Sequence, residues 1–243
     1  MSTFDVAQPT IDLEFAKLLV QCFNGQDMPV HMLFNHWWSH ASPEVTLAYV
    51  EGFLRDAGDQ IDSVGAKIAD SIDLELAGAL PEDSLGRAYY RWIVENGLQA
   101  NIATDYRAFH EALVAAGLLN GMPEAMQKAV LRGFQVHDFQ HVLTGYDSSG
   151  PGEIALQAFC LAQTKFPYFG MWMSVITTQM TLLNPAMIQP MMDAISDGWT
   201  HGRSASSLAL EPWESMLDEP LGDLRSRYGI DCTPRPGTVF TAR

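Results

Sequence analysis

PEAMQKAVLRGFQVHDFQHVLTGYDSSGPGEIALQAFCLAQTKF, residues 123–166, reads as a helix, a glycine-rich loop and a second helix. Val130, Phe134, Asp138 and Val142 follow one another in steps of four, and Val130, His137 and His141 share the neighbouring stripe. The polar residues therefore continue an apolar face, which must point inward. At roughly 100° per residue, His137 and His141 lie about 40° apart around the helix, with Asp138 about 60° beyond His141. The loop Gly145–Gly152 turns the chain back and sets Glu153 in the first turn of the next helix, where the helix dipole favours a carboxylate.

The same periodicity extends outward. Apolar residues recur at three and four, and alternating β-branched runs between hairpin turns are missing, so the spacing predicts an all-α protein. The expected architecture is a single helical domain of about ten helices over residues 1–232, followed by a weakly ordered tail, TPRPGTVFTAR, at 233–243. The helices are expected at 11–23, 43–57, 60–78, 83–97, 101–116, 123–143, 153–166, 168–183, 186–205 and 213–228. Pro43, Pro81, Pro123, Pro167, Pro185 and Pro212 stand near the starts, and Gly97, Gly117, Gly145 and Gly229 near the stops.

Composition narrows the partners. The 243 residues carry 14 Lys+Arg against 29 Asp+Glu, a formal charge of −15, and 47 % of them are hydrophobic. Such a chain can bury a core, but it lacks the cations that hold phosphate backbones, so nucleic acid is not an expected partner. Acidic residues from Asp56 to Asp83 read as a solvated face. No apolar run is long enough to span a bilayer. The acidic, Arg-free start MSTFDVAQPTIDLEF and three scattered cysteines, Cys22, Cys160 and Cys232, suggest no export or transit segment and a reducing compartment. A cytoplasmic protein, with peripheral contact to the inner membrane as a variant, is the expectation.

Two imidazoles and two carboxylates make a mixed N/O ligand set suited to Zn, with Fe, Mn or Co also able to bind. His137, Asp138, His141 and Glu153 are thus candidate ligands of one divalent metal. A buried His–Asp pair without metal is the plainer alternative. The spacing differs from the zincin HExxH, whose Glu is one methylene longer than Asp138.

With those residues stated, HDFQHVLTGYDSSGPGE fits HDxxHx11E and resembles the coenzyme Q biosynthesis protein 4 family. The resemblance covers about residues 80–230. It includes LPEDSLGRAYYRWIVENGL at 80–98 and, downstream, Trp199, Gly202, Arg203, Leu208, Trp213-Glu214, Leu224-Arg225 and Ile230. It implies a helical protein of ubiquinone biosynthesis with the four motif residues at a metal. Implied with it are a polyprenylated 4-hydroxybenzoate-derived ring as ligand, replacement of its C1 carboxylate by hydroxyl, other enzymes of the pathway as partners, and a homodimer. Asp138 or Glu153, whichever the metal holds less tightly, is the candidate for proton transfer. Zinc has no redox chemistry, so a zinc enzyme would pass electrons directly between ring and oxygen.

Three readings compete: a non-catalytic prenyl-lipid scaffold, a family member recruited to another quinone or aromatic pathway, and an HD-type metal phosphohydrolase using His110 with Asp193 or Asp197. FPYFGMWMSVITTQMTLLNPAMIQPMM, residues 166–192, has no charge and reads as core or as the wall of a tail pocket. His36 and His40 stand at i, i+4, and His201 reads as part of a polar helix face.

Overall fold

A computed structural model describes residues 12–24, 30–57, 71–102 and 105–232. Its helices are α1 (Leu13–Phe23), α2 (Val30–His40), α3 (Pro43–Ala57), α4 (Leu74–Ala79), α5 (Leu85–Glu95), α6 (Gln99–Ile102), α7 (Tyr106–Ala115), α8 (Glu124–Thr144), α9 (Gly150–Thr164), α10 (Pro167–Leu183), α11 (Ile188–Ser204) and α12 (Leu221–Tyr228). Short 3₁₀ turns occupy Pro185–Met187 and Trp213–Ser215. Among the described residues there is no strand, only an isolated bridge between Ser84 and Pro220, so the fold is all-α.

The core lies between α5, α8, α9 and α11. Tyr89, Ile93, Phe139, Leu143, Ile154, Phe159 and Trp213 are buried in one cluster, and the apolar face of α8 that carries the histidines runs into it. A second cluster, around Phe34, Trp38, Met126 and Phe166, joins α2 to α8 and α10. No helix among the described residues is long and apolar enough to cross a membrane.

The most extensive helix pairing is α9 on α11. It is close because Gly198 and Gly202 face the backbone of α9: a Cβ at either would run into the carbonyl oxygen of Ala155 or Phe159. Backbone atoms cannot swing aside, so overpacking here costs about 1–3 kcal/mol. Gly198→Ala is expected to lower Tm by several degrees in circular-dichroism melts, whereas Gly222→Ala, with nothing within 4 Å of its Cβ, should leave the melt nearly unchanged.

Several sequence expectations need correction. α2, in the His- and Trp-rich stretch, was not among the expected helices. The stretch expected as one helix over 213–228 is a 3₁₀ turn followed by α12, because Pro220 halts the chain and residues 217–221 hydrogen-bond back to α5: Leu85 and Gly86 N–H donate to Glu219 and Leu217 carbonyls at 2.9 and 2.8 Å. The stretch 101–116 is interrupted, with Asp105 capping α7 through Arg107 and Ala108 N–H, both at 3.0 Å. Of the helix expected over 60–78, residues 60–70 lie outside the described residues and α4 covers only its end. The 233–243 tail and the first 11 residues also lie outside them.

Candidate metal centre

α8 ends at Gly145, whose φ of 79° is left-handed and free of strain only for glycine. Arg225, on α12, donates to the last carbonyls of α8, Leu143 at 3.0 Å and Val142 at 2.9 Å, giving a cation to that negative helix end. Beyond the turn, Ser149 caps α9: its Oγ accepts from Gly152 N–H at 3.2 Å, while Asp147 Oδ1 accepts from Ser149 N–H at 3.0 Å. Two ends fixed in this way bring the first turn of α9 opposite the last turns of α8.

His137, His141 and Glu153 meet there, each offering one ligand atom, all within 4.8 Å of one another. His141 Nε2 is 3.2 Å from His137 Nε2 and 3.2 Å from Glu153 Oε1, and His137 Nε2 is 3.4 Å from Glu153 Oε2. His141 is buried, and its Nδ1 lies 2.9 Å from the Tyr146 carbonyl, which can only accept. Nδ1 must therefore carry a proton, so the neutral ring turns the Nε2 lone pair toward Glu153. Lone pair against carboxylate is repulsive unless a proton or a metal cation lies between them. The donor set thus suits a divalent metal.

The electrostatics agree. With a proton rather than a metal between the groups, burial opposes ionisation of Glu153, but the hydrogen bonds and charge of the two histidines overcome it and bring its carboxyl down to about 2. Burial likewise disfavours the His137 cation, yet the hydrogen bond and charge of Glu153, with Asp138 behind it, raise its pKa overall.

Asp138 stands apart from the three. Its Oδ1 accepts from Trp92 Nε1 at 3.2 Å, and the same indole stacks on the His141 ring with centroids 4.6 Å apart. Trp92 thus braces both residues, a role that only its place in the 80–98 segment hinted at. Tyr146 is another residue that the sequence reading left without a role. Its carbonyl orients His141, and its hydroxyl is 3.1 Å from both Asp197 Oδ2 and His201 Nδ1. His201 is consequently wholly buried rather than part of a polar face.

The residues required by the phosphohydrolase reading are dispersed. His110 pairs with Gln127 at 3.1 Å, Asp193 is exposed, and Asp197 is engaged by Tyr146. His40 lies 3.5 Å from Asp12, and neither it nor His36 joins a metal-type cluster among the described residues.

A cavity of about 290 Å³ opens beside His137, close to the size of ordinary small-molecule sites. Phe53, Phe134, Phe166, Tyr168 and Phe169 form its apolar walls, while Gln140 and Gln157 are among its polar lining. Only the start of the uncharged 166–192 stretch reaches it. Met173 and Met180 pack on the main core, and Met191 is buried within it.

Residues 124–234 match the family described as coenzyme Q (ubiquinone) biosynthesis protein Coq4. The mitochondrial ubiquinone biosynthesis protein coq4 of Talaromyces stipitatus is 25 % identical over 168 residues, covering 68 % of this chain and 53 % of its own length. Its namesake from Aspergillus flavus is 26 % identical over 168 residues, with the same coverage. The chain spans about half the length of the curated relatives it matches. A crystal structure of a Nostoc punctiforme protein named for ubiquinone biosynthesis has a TM-score of 0.64 and 23 % identity, covering 90 % of this chain and 96 % of that one, a likeness of fold.

These relatives are mitochondrial by name, which overturns the cytoplasmic expectation. That expectation rested on free thiols and a lack of basic residues in one short stretch, and neither separates the cytoplasm from the interior of a mitochondrion. The matched span, a little under half of the chain, contains the whole helix–loop–helix that carries His137, Asp138, His141 and Glu153, and over it the chain resembles the Coq4 family.

Proposed function

We propose that the chain acts in ubiquinone biosynthesis, with His137, His141 and Glu153 holding a divalent metal, zinc first among Zn, Fe, Mn and Co, beside a pocket for a prenylated aromatic ring. The observation that carries this reading is the convergence of the three ligand atoms of His137, His141 and Glu153, with His137 also lining an apolar cavity. The reaction is exchange of the ring's C1 carboxylate for hydroxyl: the ring–carboxylate bond breaks to release carbon dioxide, a ring–oxygen bond forms, and one dioxygen and one water are consumed as one hydrogen peroxide is released. When bound, the metal would supply Lewis-acid polarisation of a ring oxygen.

The protein's own side chains do the rest. Phe134, Phe166 and Tyr168 take the ring and exclude water. Glu153 is committed to the two histidines, which leaves Asp138, held by Trp92, as the carboxylate that moves the proton exchanged at the ring. The same reading includes a homodimer working alongside other enzymes of the pathway. It also includes contact with a lipid surface, for which the exposed Leu182 and Leu183 at the end of α10 are suited.

The test is to purify the protein without added metal or polyhistidine tag, then measure bound metal and extracted lipids by mass spectrometry and assay decarboxylation under oxygen. About one equivalent of metal, a co-purifying prenylated phenol or quinone, and turnover lost in Asp138→Asn are the expected results. Metal-free protein that still carries lipid would sink the catalytic reading and leave a lipid carrier.

A further inference from the structure

Three glutamines line the cavity, and their hydrogen bonding separates them. Gln163 is tied at both ends, donating to the Ser206 carbonyl at 2.8 Å and accepting from Leu208 N–H at 3.0 Å. Gln140 Oε1 accepts from the Cys160 thiol at 3.4 Å. Gln157 is 5 % exposed, and its buried Oε1 has no hydrogen-bond partner in the protein. A buried amide oxygen left in this way carries an uncompensated desolvation cost. That cost is recovered when something entering the cavity donates a hydrogen bond.

We propose that Gln157 is the residue that selects and orients the ligand of this cavity, accepting a hydrogen bond from a hydroxyl on an aromatic ring. The inference rests on the functional reading above and gives it a specificity determinant. Aromatic walls favour a ring over a sugar or a peptide. The Oε1 accepts only, so it pairs with a hydroxyl and not with a carboxylate. Gln157 follows Glu153 by one helical turn on α9, a rise of about 6 Å, the scale of a benzene ring with a substituent at each end. A ring with its hydroxyl at Gln157 therefore directs its opposite position toward the His137 end of the cavity.

The experiment uses two neutral probes that differ only in the donor, 2-geranylphenol and its methyl ether, titrated calorimetrically into the full chain and into Gln157→Met. The wild type should bind the phenol about tenfold more tightly than the ether, the value of one buried hydrogen bond. Gln157→Met should erase that preference by weakening the phenol alone. Its ligand-free Tm should not fall, because the substitution removes an unpaired polar atom. Equal binding of both probes by the wild type would overturn the proposal, as would a preference that survives in Gln157→Met. A variant that melts lower and loses both probes equally would also overturn it, by making Gln157 part of the packing. Metal content, measured on the same samples, keeps the two readings apart. Metal-free protein that retains the phenol preference supports Gln157 while removing the metal. Metal-loaded protein without the preference removes Gln157 alone.

Discussion

Glu153→Ala and His141→Ala are each expected to lose bound metal, with affinity falling by at least about a hundredfold. Substituting residues that merely orient a metal ligand costs 10–100-fold, and deleting a ligand must exceed that. The two variants should differ in stability. His141 is buried beneath the Trp92 indole, so its truncation leaves a cavity as well as an orphaned Tyr146 carbonyl, and Tm should fall. Glu153 is partly open to solvent, so Glu153→Ala should fold nearly as well as the parent while failing to load metal. Metal retained at one equivalent by both variants would show that the cluster is a hydrogen-bonded polar core and nothing more.

pH supplies an independent check on the same cluster, and its sign is fixed. Without metal, Glu153 is depressed from the ordinary 4.5 to about 2, so its contribution is present above 4.5 and is lost as pH falls toward 2. His137 is raised above 6.5, so its contribution is present below 6.5 and is lost as pH rises through the folded value. From this pair, the metal-free protein is most stable between about 4.5 and 6.5. Metal requires neutral imidazoles, so metal stabilisation runs the other way, growing as pH rises through the His137 pKa. Melts of stripped and loaded protein across pH 5–8 should therefore diverge upward. Parallel curves would remove His137 from the ligand set.

How much of this was legible in the sequence can be traced to particular residues. α8 and α9 were readable because one stretch carried its own periodicity, a glycine at the turn and a serine cap, all local signals. The same spacing rule put His137 and His141 on one face and returned Glu153 toward them. α2 was not readable as a helix. HMLFNHWWSH is poor in strong helix formers, and its stability comes from Phe34 packing on Phe166 and Tyr168, with centroids 5.3 and 5.5 Å away, contacts made across more than a hundred residues. The position of Asp138 was hidden for a similar reason: a helical wheel places it next to His141 but cannot show the Trp92 indole arriving from α5. Gln157 carried one faint signal, its place a turn after Glu153, and became informative only once its neighbours were seen to leave its oxygen unpaired. His201 misled because a polar residue beside Arg203 looks exposed until Tyr146 and Phe159 are found against it.

Glu214→Gln is expected to lower stability by about 3–5 kcal/mol, a shift on the order of 10 °C in Tm, although it lies outside the metal cluster. The reason is Arg132, fully buried on α8, just over one turn before His137. Its guanidinium meets Glu214 through two bonds, Nη1 to Oε1 at 2.7 Å and Nη2 to Oε2 at 2.9 Å, and Gln135 Oε1 accepts from Nη1 at 2.7 Å. The pair fastens the 3₁₀ turn Trp213–Ser215 to α8, next to Trp213, whose indole donates to the Leu208 carbonyl at 3.1 Å. Removing the carboxylate charge strands a cation in the interior, and Arg132 Nε already lacks a partner. Arg132→Met should cost less, since Glu214, 17 % exposed, can turn to water. The double variant Arg132→Met/Glu214→Leu should recover most of the loss, because an apolar pair of similar volume carries no desolvation penalty. Single-variant losses that simply add in the double would show that the two side chains act independently. Below its lowered Tm, Glu214→Gln should still bind metal at the parental stoichiometry, which separates the brace that holds α8 in place from the residues that α8 presents.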